Sequence, residues 1–264
     1  MEYLLNMPQE YFYHEWNLQG KIDIDYKGKS NIFETFKISD YDPYKKKQLS
    51  INGTSKKSIF LKVSLLNGYY CQIDNLLNNN KDITTQSKIR STVLEEFCGF
   101  LFKDLPIVTT LSLDFFNKKV YAGMAINRDG KVFPKMKDID FCIGKKVTAD
   151  FESKKYNLII PLIAIECKTW LDKTMFSEAQ FTAQKIKQGT PNVKVYVLAG
   201  YSGIDQNEVP NKGQTPIDQV YLIGDTRIKV DGKVIYDFFK DVSKDLIKIT
   251  KLVEINKIGK LIPD

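Results

Sequence analysis

Hydrophobic runs and polar breaks divide the second half of the chain into alternating strands and helices. The run NLIIPLIAIECKTW (157–170) is apolar and β-branched for most of its length and then becomes charged, which predicts a strand buried on both faces. Residues 177–189 have helical periodicity, with Ser177 as the cap and with Phe181 and Ile186 predicted to face inward. The segment NVKVYVLAGY (192–201) predicts another strand. These elements predict one β-α-β unit with parallel strands.

A helix is predicted upstream, over TTQSKIRSTVLEEFCGFLFKDL (84–105), and it ends before Pro106. Glu95 is predicted to border its apolar stripe, whereas Glu96 is predicted to point away. The stripe consists of Leu94, Phe97, Cys98 and Leu101.

Further segments extend the β-α-β unit into an α/β domain. Residues 137–144 alternate with a period of two, so Asp138, Asp140 and Cys142 are predicted to share one face of a strand. Two other strands and a last helix are predicted at 118–126, 220–224 and 234–253. The predicted fold class is α/β, with a mixed central sheet flanked by helices.

The N-terminal residues 1–84 show weaker periodicity. We interpret them as a β-rich extension, with SIFLKVSLL (58–66) as a strand and DPYKKKQ (42–48) as a basic loop. The sequence has no internal repeat, and no long linker separates this extension from residues 85–264. The predicted organisation is an N-terminal region, 1–84, followed by one α/β domain, 85–264.

Length and hydropathy predict a protein that folds by itself away from the membrane. The 264 residues are 43% hydrophobic, enough for a sizeable core. No apolar run reaches the roughly 18 to 20 residues of a membrane span, and the N-terminus lacks a basic stretch before an apolar one. We expect a cytoplasmic protein.

The residue inventory excludes several catalytic mechanisms. The chain has one histidine, His14, and four widely separated cysteines, so Ser-His-Asp, Cys-His and H-E-x-x-H sites are not formed. Any hydrolysis must therefore use carboxylates, lysines and a hard cation. The formal net charge of +7 favours an anionic partner.

A group of charged residues is predicted at the end of the buried strand. Glu166 and Lys168 are two positions apart, so their side chains share a face, and a neighbouring strand in register would bring Asp140 beside Glu166. The alternative for Glu166 and Lys168 is a simple salt bridge at the strand end. Asp138 is the rival of Asp140, which we prefer because it lies between Ile139 and Phe141, deeper in the apolar segment.

This group is suited to a magnesium ion. Two neighbouring carboxylates repel each other, and Mg²⁺ prefers oxygen ligands and retains several waters. We predict Asp140, Glu166 and the main-chain carbonyl of Cys167 as its ligands, with Mn²⁺ as a substitute. Lys168 would orient the attacking water and neutralise charge at phosphorus, and Glu95 could supply a further carboxylate.

Asp140 followed by Glu166-Cys167-Lys168, then a helix and a strand, resembles the PD-(D/E)xK nuclease superfamily over residues 84–202. The sequence departs from the literal motif because Ile139 stands where the motif has proline. Within the superfamily the layout is similar to type II restriction endonucleases. The stretches STVLEEFCGFLFKDL and IECKTWLDKTM look similar to enzymes that cut interrupted CTNAG-type sites.

This resemblance implies a double-stranded DNA substrate, magnesium and a dimer with an identical or a related subunit. It implies that Asp140 and Glu166 bind metal, that Lys168 is the catalytic lysine and that Glu95 is a carboxylate supplied by a helix. Residues 1–84 would then support DNA recognition or dimer formation, and residues 85–264 would form a catalytic domain with a restriction-endonuclease-like core.

The same sequence features fit two alternative functions. A structure-selective repair or junction nuclease would use the same catalytic core, but it would cut branched DNA instead of a specific sequence. A non-catalytic DNA-binding module would keep the fold without activity. The intact acid-acid-lysine set favours an enzyme over the second alternative.

Overall fold

A mixed five-stranded sheet forms the centre of the molecule. The computed structural model describes residues 12–84, 88–151, 153–205, 210–211, 213–224 and 229–251. Its strands, in chain order, are β1 (Asp114–Phe116), β2 (Val120–Ile126), β3 (Val132–Lys137), β4 (Phe141–Phe151), β5 (Lys154–Leu171), β6 (Lys194–Ser202) and β7 (Gln219–Leu222). The sheet order is β1-β4-β5-β6-β7, and β2 and β3 form a separate two-stranded ribbon.

Helices cover the sheet on both faces. They are α1 (Tyr13–Asp23), α2 (Ser30–Phe36), α3 (Asp42–Ser50), α4 (Lys56–Asn79), α5 (Ile89–Phe102), α6 (Pro106–Thr110), α7 (Lys173–Gly189) and α8 (Gly232–Lys251), with a 3₁₀ turn at Tyr26–Gly28 and a π-helical segment at Lys37–Tyr41. Strands β5, β6 and β7 are parallel, and α7 connects β5 to β6. The predicted mixed sheet, its flanking helices and the β-α-β unit are confirmed. None of the helices in the described ranges is long and apolar enough to cross a membrane.

The two faces of the sheet pack into two hydrophobic clusters, because side chains alternate along a strand. In β5, Ile163 and Ile165 join a large cluster that extends from Leu18 in α1 to Ile249 in α8. Ala164, between them, joins the cluster on the opposite face, which contains α7. The N-terminal helices, α5 and α8 thus cover one face of the sheet, and α7 covers the other.

The β-rich N-terminal extension is a wrong prediction. The described residues up to 84 form helices and helical turns, and the predicted strand 58–66 lies inside α4. Ser55 caps α4 by accepting a hydrogen bond from the Ser58 amide at 3.1 Å. The residues buried along this helix recur at helical spacing, as Ile59, Val63, Leu66, Tyr69, Tyr70, Ile73 and Leu76 show. Their β-branched and aromatic composition favoured a strand, but their spacing fits a helix.

Two predicted boundaries near the site also require correction. Residues 137–144 are not one strand, because β3 ends at Lys137, β4 begins at Phe141 and Asp140 lies in a bend between them. Helix α7 begins before Ser177, at Lys173, because the Asp172 side chain caps it by accepting from the Met175 amide at 2.7 Å. A third correction concerns the same helix: Phe181, predicted to face inward, is 54% exposed.

A buried polar network joins α1 to α5. The imidazole of His14 lies 2.8 Å from Thr92 Oγ1 and 2.7 Å from Tyr69 Oη. Glu96, predicted to point away from the core, is instead 1% exposed. It accepts hydrogen bonds from the His14 amide at 3.0 Å and from the Tyr41 hydroxyl at 2.9 Å. This network satisfies the buried carboxylate and fixes α1 against the helix that carries Glu95.

Candidate active site

Three predicted site residues meet where β4 begins and β5 approaches its end. Phe141 pairs with Ile165 in the antiparallel register, so Asp140 and Glu166 are adjacent across the two strands. The Nζ atom of Lys168 lies 2.6 Å from Glu166 Oε2 and 3.4 Å from Asp140 Oδ2. The lysine therefore bridges both carboxylates.

The main chain of Cys167 completes this arrangement. Its amide donates to Asp140 Oδ2 at 2.8 Å. Because the amide and carbonyl of one residue point to the same side of a strand, the Cys167 carbonyl is directed toward the same edge as Asp140. The thiol of Cys167 packs in the core on one face of β5, with its Sγ 4.0 Å from that of Cys98.

Glu95 reaches the same site from α5. It is 7% exposed, and its Oε2 atom accepts a hydrogen bond from Asn117 Nδ2 at 2.9 Å. Asn117 also donates to the main-chain oxygen of Asp140. Sequence reasoning missed Asn117, because it is far from the acidic motif along the chain. The available signal was an asparagine between the apolar ends of β1 and β2.

Asp138, the rival of Asp140, lines the same cleft but differs in its surroundings. It is exposed, whereas Ile139 is buried and only Asp140 receives the hydrogen bonds from Cys167 and Lys168. The predicted common face of Asp138, Asp140 and Cys142 does not explain this placement, since β4 starts after Asp140. The bend at Asp140 turns its carboxylate toward β5.

The acidic group lies in a cleft of about 630 Å³. The N-terminal half of α7 forms one wall, and Glu95, in the middle of α5, contributes to another. Lysines from three separate segments surround the carboxylates: Lys88, Lys118 and Lys137. An anion could therefore approach the acids between positively charged side chains, which is suited to a phosphate backbone.

The pKa values of these groups reflect their crowding. Burial, and then the charge of Asp140, raises the pKa values of Glu95 and Glu166. Burial alone would lower the pKa of Lys168, but Asp140 and Glu166 raise it above its ordinary value. The lysine is thus charged, and it only partly compensates for the repulsion between neighbouring carboxylates.

A divalent cation fits this donor set. Within the described ranges no group of three or more His, Cys, Asp or Glu side chains is arranged to hold a metal ion. The available donors are two side-chain carboxylates, from Asp140 and Glu166, and the carbonyl of Cys167. Magnesium commonly binds through one or two carboxylates and retains several waters, so this small set matches it.

Comparisons with known proteins agree with this fold. A family model described as Bpu10I restriction endonuclease matches residues 86–251. The structure is similar to a chain of the native BbvCI A2B2 tetramer, with a TM-score of 0.71 and 17% identity over 95% of this chain and 99% of that chain. At this identity the likeness concerns the fold. The search of curated proteins gave no match.

Proposed function

The chain belongs to the Bpu10I restriction endonuclease family and is a type II site-specific deoxyribonuclease, and we propose that it cuts duplex DNA with Mg²⁺, Asp140, Glu166 and Lys168. The recognised sequence is proposed to be short and of the interrupted CTNAG type. The observation that carries the proposed site is the bridge of Lys168 between Asp140 and Glu166 in a lysine-lined cleft.

Asp140, Glu166 and the Cys167 carbonyl are the proposed metal ligands. A bound Mg²⁺ would polarise the phosphate and acidify a water molecule. Asp140 is held in place for this role by the Cys167 amide, and Glu166 is held by Lys168. Glu166 lies within β5 and Asp140 immediately precedes β4, and their hydrogen bonds limit the reorganisation needed when an ion binds.

Lys168 and Glu95 have separate proposed roles. If a cation occupied the carboxylates, the Lys168 ammonium would be available to donate to the attacking water and to a phosphate oxygen. Glu95 lies beside this position, and its raised pKa makes it a group that can hold a proton near the reacting water. Asn117 positions Glu95 and the main chain of Asp140 through its side-chain amide.

Cleavage of both DNA strands requires a second site. The described residues place one Asp140-Glu166-Lys168 set in each chain, so we propose that the active form contains another subunit, identical or related. The A2B2 composition of the structural neighbour supports a related subunit. Residues 1–84 are proposed to support DNA recognition or assembly, and residues 85–264 form the proposed catalytic domain.

Plasmid digestion tests this function. With Mg²⁺, the protein alone or with its related subunit should give discrete, reproducible bands or site-specific nicks. Mn²⁺ should substitute, whereas EDTA should abolish cutting. Sequencing the cut ends gives the recognised bases. Cutting that is confined to branched substrates would instead support a junction nuclease, and binding in Ca²⁺ without cutting in Mg²⁺ or Mn²⁺ would support a non-catalytic module.

A further inference from the structure

Lys118 occupies an unusual backbone conformation beside the candidate active site. Its φ of +78° lies in the left-handed region, which residues other than glycine rarely adopt. Two main-chain hydrogen bonds maintain it: the Lys118 amide donates to Ile139 O at 2.8 Å, and the Ile139 amide donates back at 3.3 Å. Because Ile139 precedes Asp140, these bonds tie the position of Lys118 to that of the acidic group. Strained residues held by such bonds often occur at functional sites.

Two aromatic rings hold the side chain of Lys118. Its Nζ atom lies 4.7 Å from the ring centre of Tyr13 and 4.8 Å from that of Trp16, within the range of cation–π attraction. Lys118 and Tyr13 both line the cleft. The ammonium group is therefore placed on the wall of the cleft and is not drawn into the carboxylates as Lys168 is.

The aromatic pair is itself fixed in position. Tyr13 and Trp16 are three residues apart on α1, so they share one side of this helix. The buried network of His14 and Glu96 anchors α1 to α5. Trp16 nevertheless remains 64% exposed, although an indole ring normally gains free energy by burial. A large ring held rigidly in solvent beside a cation is suited to contact with a ligand.

We propose that Lys118, Tyr13 and Trp16 form a binding site for a DNA backbone phosphate other than the phosphate that is cleaved. The inference rests on the proposed function, since it places this phosphate in the same cleft. The positive charge of Lys118 complements the negative phosphate, and the Trp16 indole N–H is a donor that can contact the DNA backbone. The site fixes the register of the duplex relative to Asp140, which is the ordinary role of phosphate contacts. It also gives the N-terminal helices a direct part in binding.

The chain offers a matched control for Lys118. Lys119 is the next residue and is also exposed, but it does not line the cleft. Binding of a labelled duplex of mixed sequence is measured in Ca²⁺ across roughly 50 to 200 mM salt for the wild type, Lys118→Ala and Lys119→Ala. Lys118→Ala should weaken binding and reduce the salt slope by about one phosphate contact, a change of about 0.9. Lys119→Ala should retain the wild-type slope.

Tryptophan fluorescence provides a second measurement. The chain contains two tryptophans, Trp16 and Trp170, so Trp170→Phe leaves Trp16 as the only source of tryptophan emission. In this variant, emission should change on titration with the duplex and should follow the binding curve. Adding Lys118→Ala should shift the midpoint to higher DNA concentration. Thermal unfolding verifies that each variant is folded.

Two results would overturn the phosphate site while leaving the proposed function intact. One is a wild-type salt slope in folded Lys118→Ala, and the other is Trp16 emission that does not respond to saturating DNA. A wild-type protein that neither binds nor cuts duplex DNA would instead contradict the proposed function itself.

Discussion

The side-chain amide of Asn117 joins Glu95 to the main chain of Asp140. Its Nδ2 atom lies 2.9 Å from Glu95 Oε2 and also donates to Asp140 O. Neither bond involves the Asp140 carboxylate directly, so Asn117 orients the acidic residues without being one of them. Such supporting hydrogen bonds are commonly needed for full metal affinity or activity.

Asn117→Ala should therefore reduce the cleavage rate by roughly 10- to 100-fold, with little change in affinity for DNA. Asn117→Asp should reduce it further, because it places a second carboxylate against Glu95. Single-turnover cleavage and DNA binding in Ca²⁺ are measured separately. Asn75→Ala, an exposed asparagine on α4, is the control. A loss of affinity equal to the loss of rate would mean that Asn117 contacts DNA.

Lys168→Ala should nearly abolish cleavage, while metal-dependent DNA binding is nearly retained. The lysine acts on charge that develops during the reaction, so its removal should lower the rate by roughly a hundredfold or more. The measurement is the single-turnover rate on plasmid DNA together with binding in Ca²⁺. A decrease of less than about tenfold would favour the simple salt bridge as the role of Lys168.

Asp140→Asn should remove both cleavage and metal binding. Asparagine can still accept the hydrogen bond from the Cys167 amide, so the fold should persist while the negative charge is lost. Asp138→Asn should retain a substantial fraction of the activity, because Asp138 is exposed and does not bond to Lys168. Calorimetric titration with Mn²⁺ and plasmid cleavage are measured for both variants. The reverse pattern would make Asp138 the metal ligand.

The site motif could be predicted from the sequence because its main parts are local. Glu166 and Lys168 share a face by strand periodicity, and the long apolar run before them identifies a buried strand. The N-terminal helices could not be predicted in the same way. In α4 the apolar residues fit a helix by spacing but a strand by composition, and tertiary packing determined the outcome.

Contacts that are distant in sequence also escaped prediction. His14 and Glu96 are 82 positions apart, and each is a polar residue that a surface position would accommodate equally well. Their burial becomes favourable only because each supplies the other's hydrogen-bond partners, together with Thr92, Tyr69 and Tyr41.

His14 should make stability depend on pH. Burial lowers its pKa to about 3, from an ordinary value of 6.5. The contribution of neutral His14 to the free energy of unfolding is thus present above pH 6.5. It is lost as pH falls toward 3, because only the unfolded chain gains the proton in that window. The stability advantage of the wild type over His14→Gln should be ~2 kcal/mol smaller at about pH 5 than at about pH 7.

Urea unfolding of both proteins at the two pH values gives this difference. Burial raises the pKa of Glu96 to about 7, so that residue titrates in the opposite sense. Glu96 titrates in both the wild type and His14→Gln, so the difference between the two proteins gives the pH dependence that is due to His14. A wild-type advantage that is independent of pH would mean that His14 is not buried in its neutral form.

The chain carries one described acid-acid-lysine set, yet two DNA strands must be cut. Each subunit should cut one strand, since a two-fold axis maps one site onto the antiparallel strand. If the wild type alone linearises supercoiled plasmid, mixing it with excess Glu166→Ala should make nicked circles accumulate and linear product scarce. If it requires a related subunit, Glu166→Ala together with that subunit should nick only one strand.

The control is Glu178→Ala, since Glu178 is a carboxylate of the same cleft that lies on α7. This variant should leave double-strand cutting largely intact. Light scattering of the protein on a cognate duplex gives the number of subunits. A monomer that makes both cuts, with no nicked circles in the mixtures, would contradict one-strand cutting by each subunit, because an inactive partner could then have no effect on the second strand.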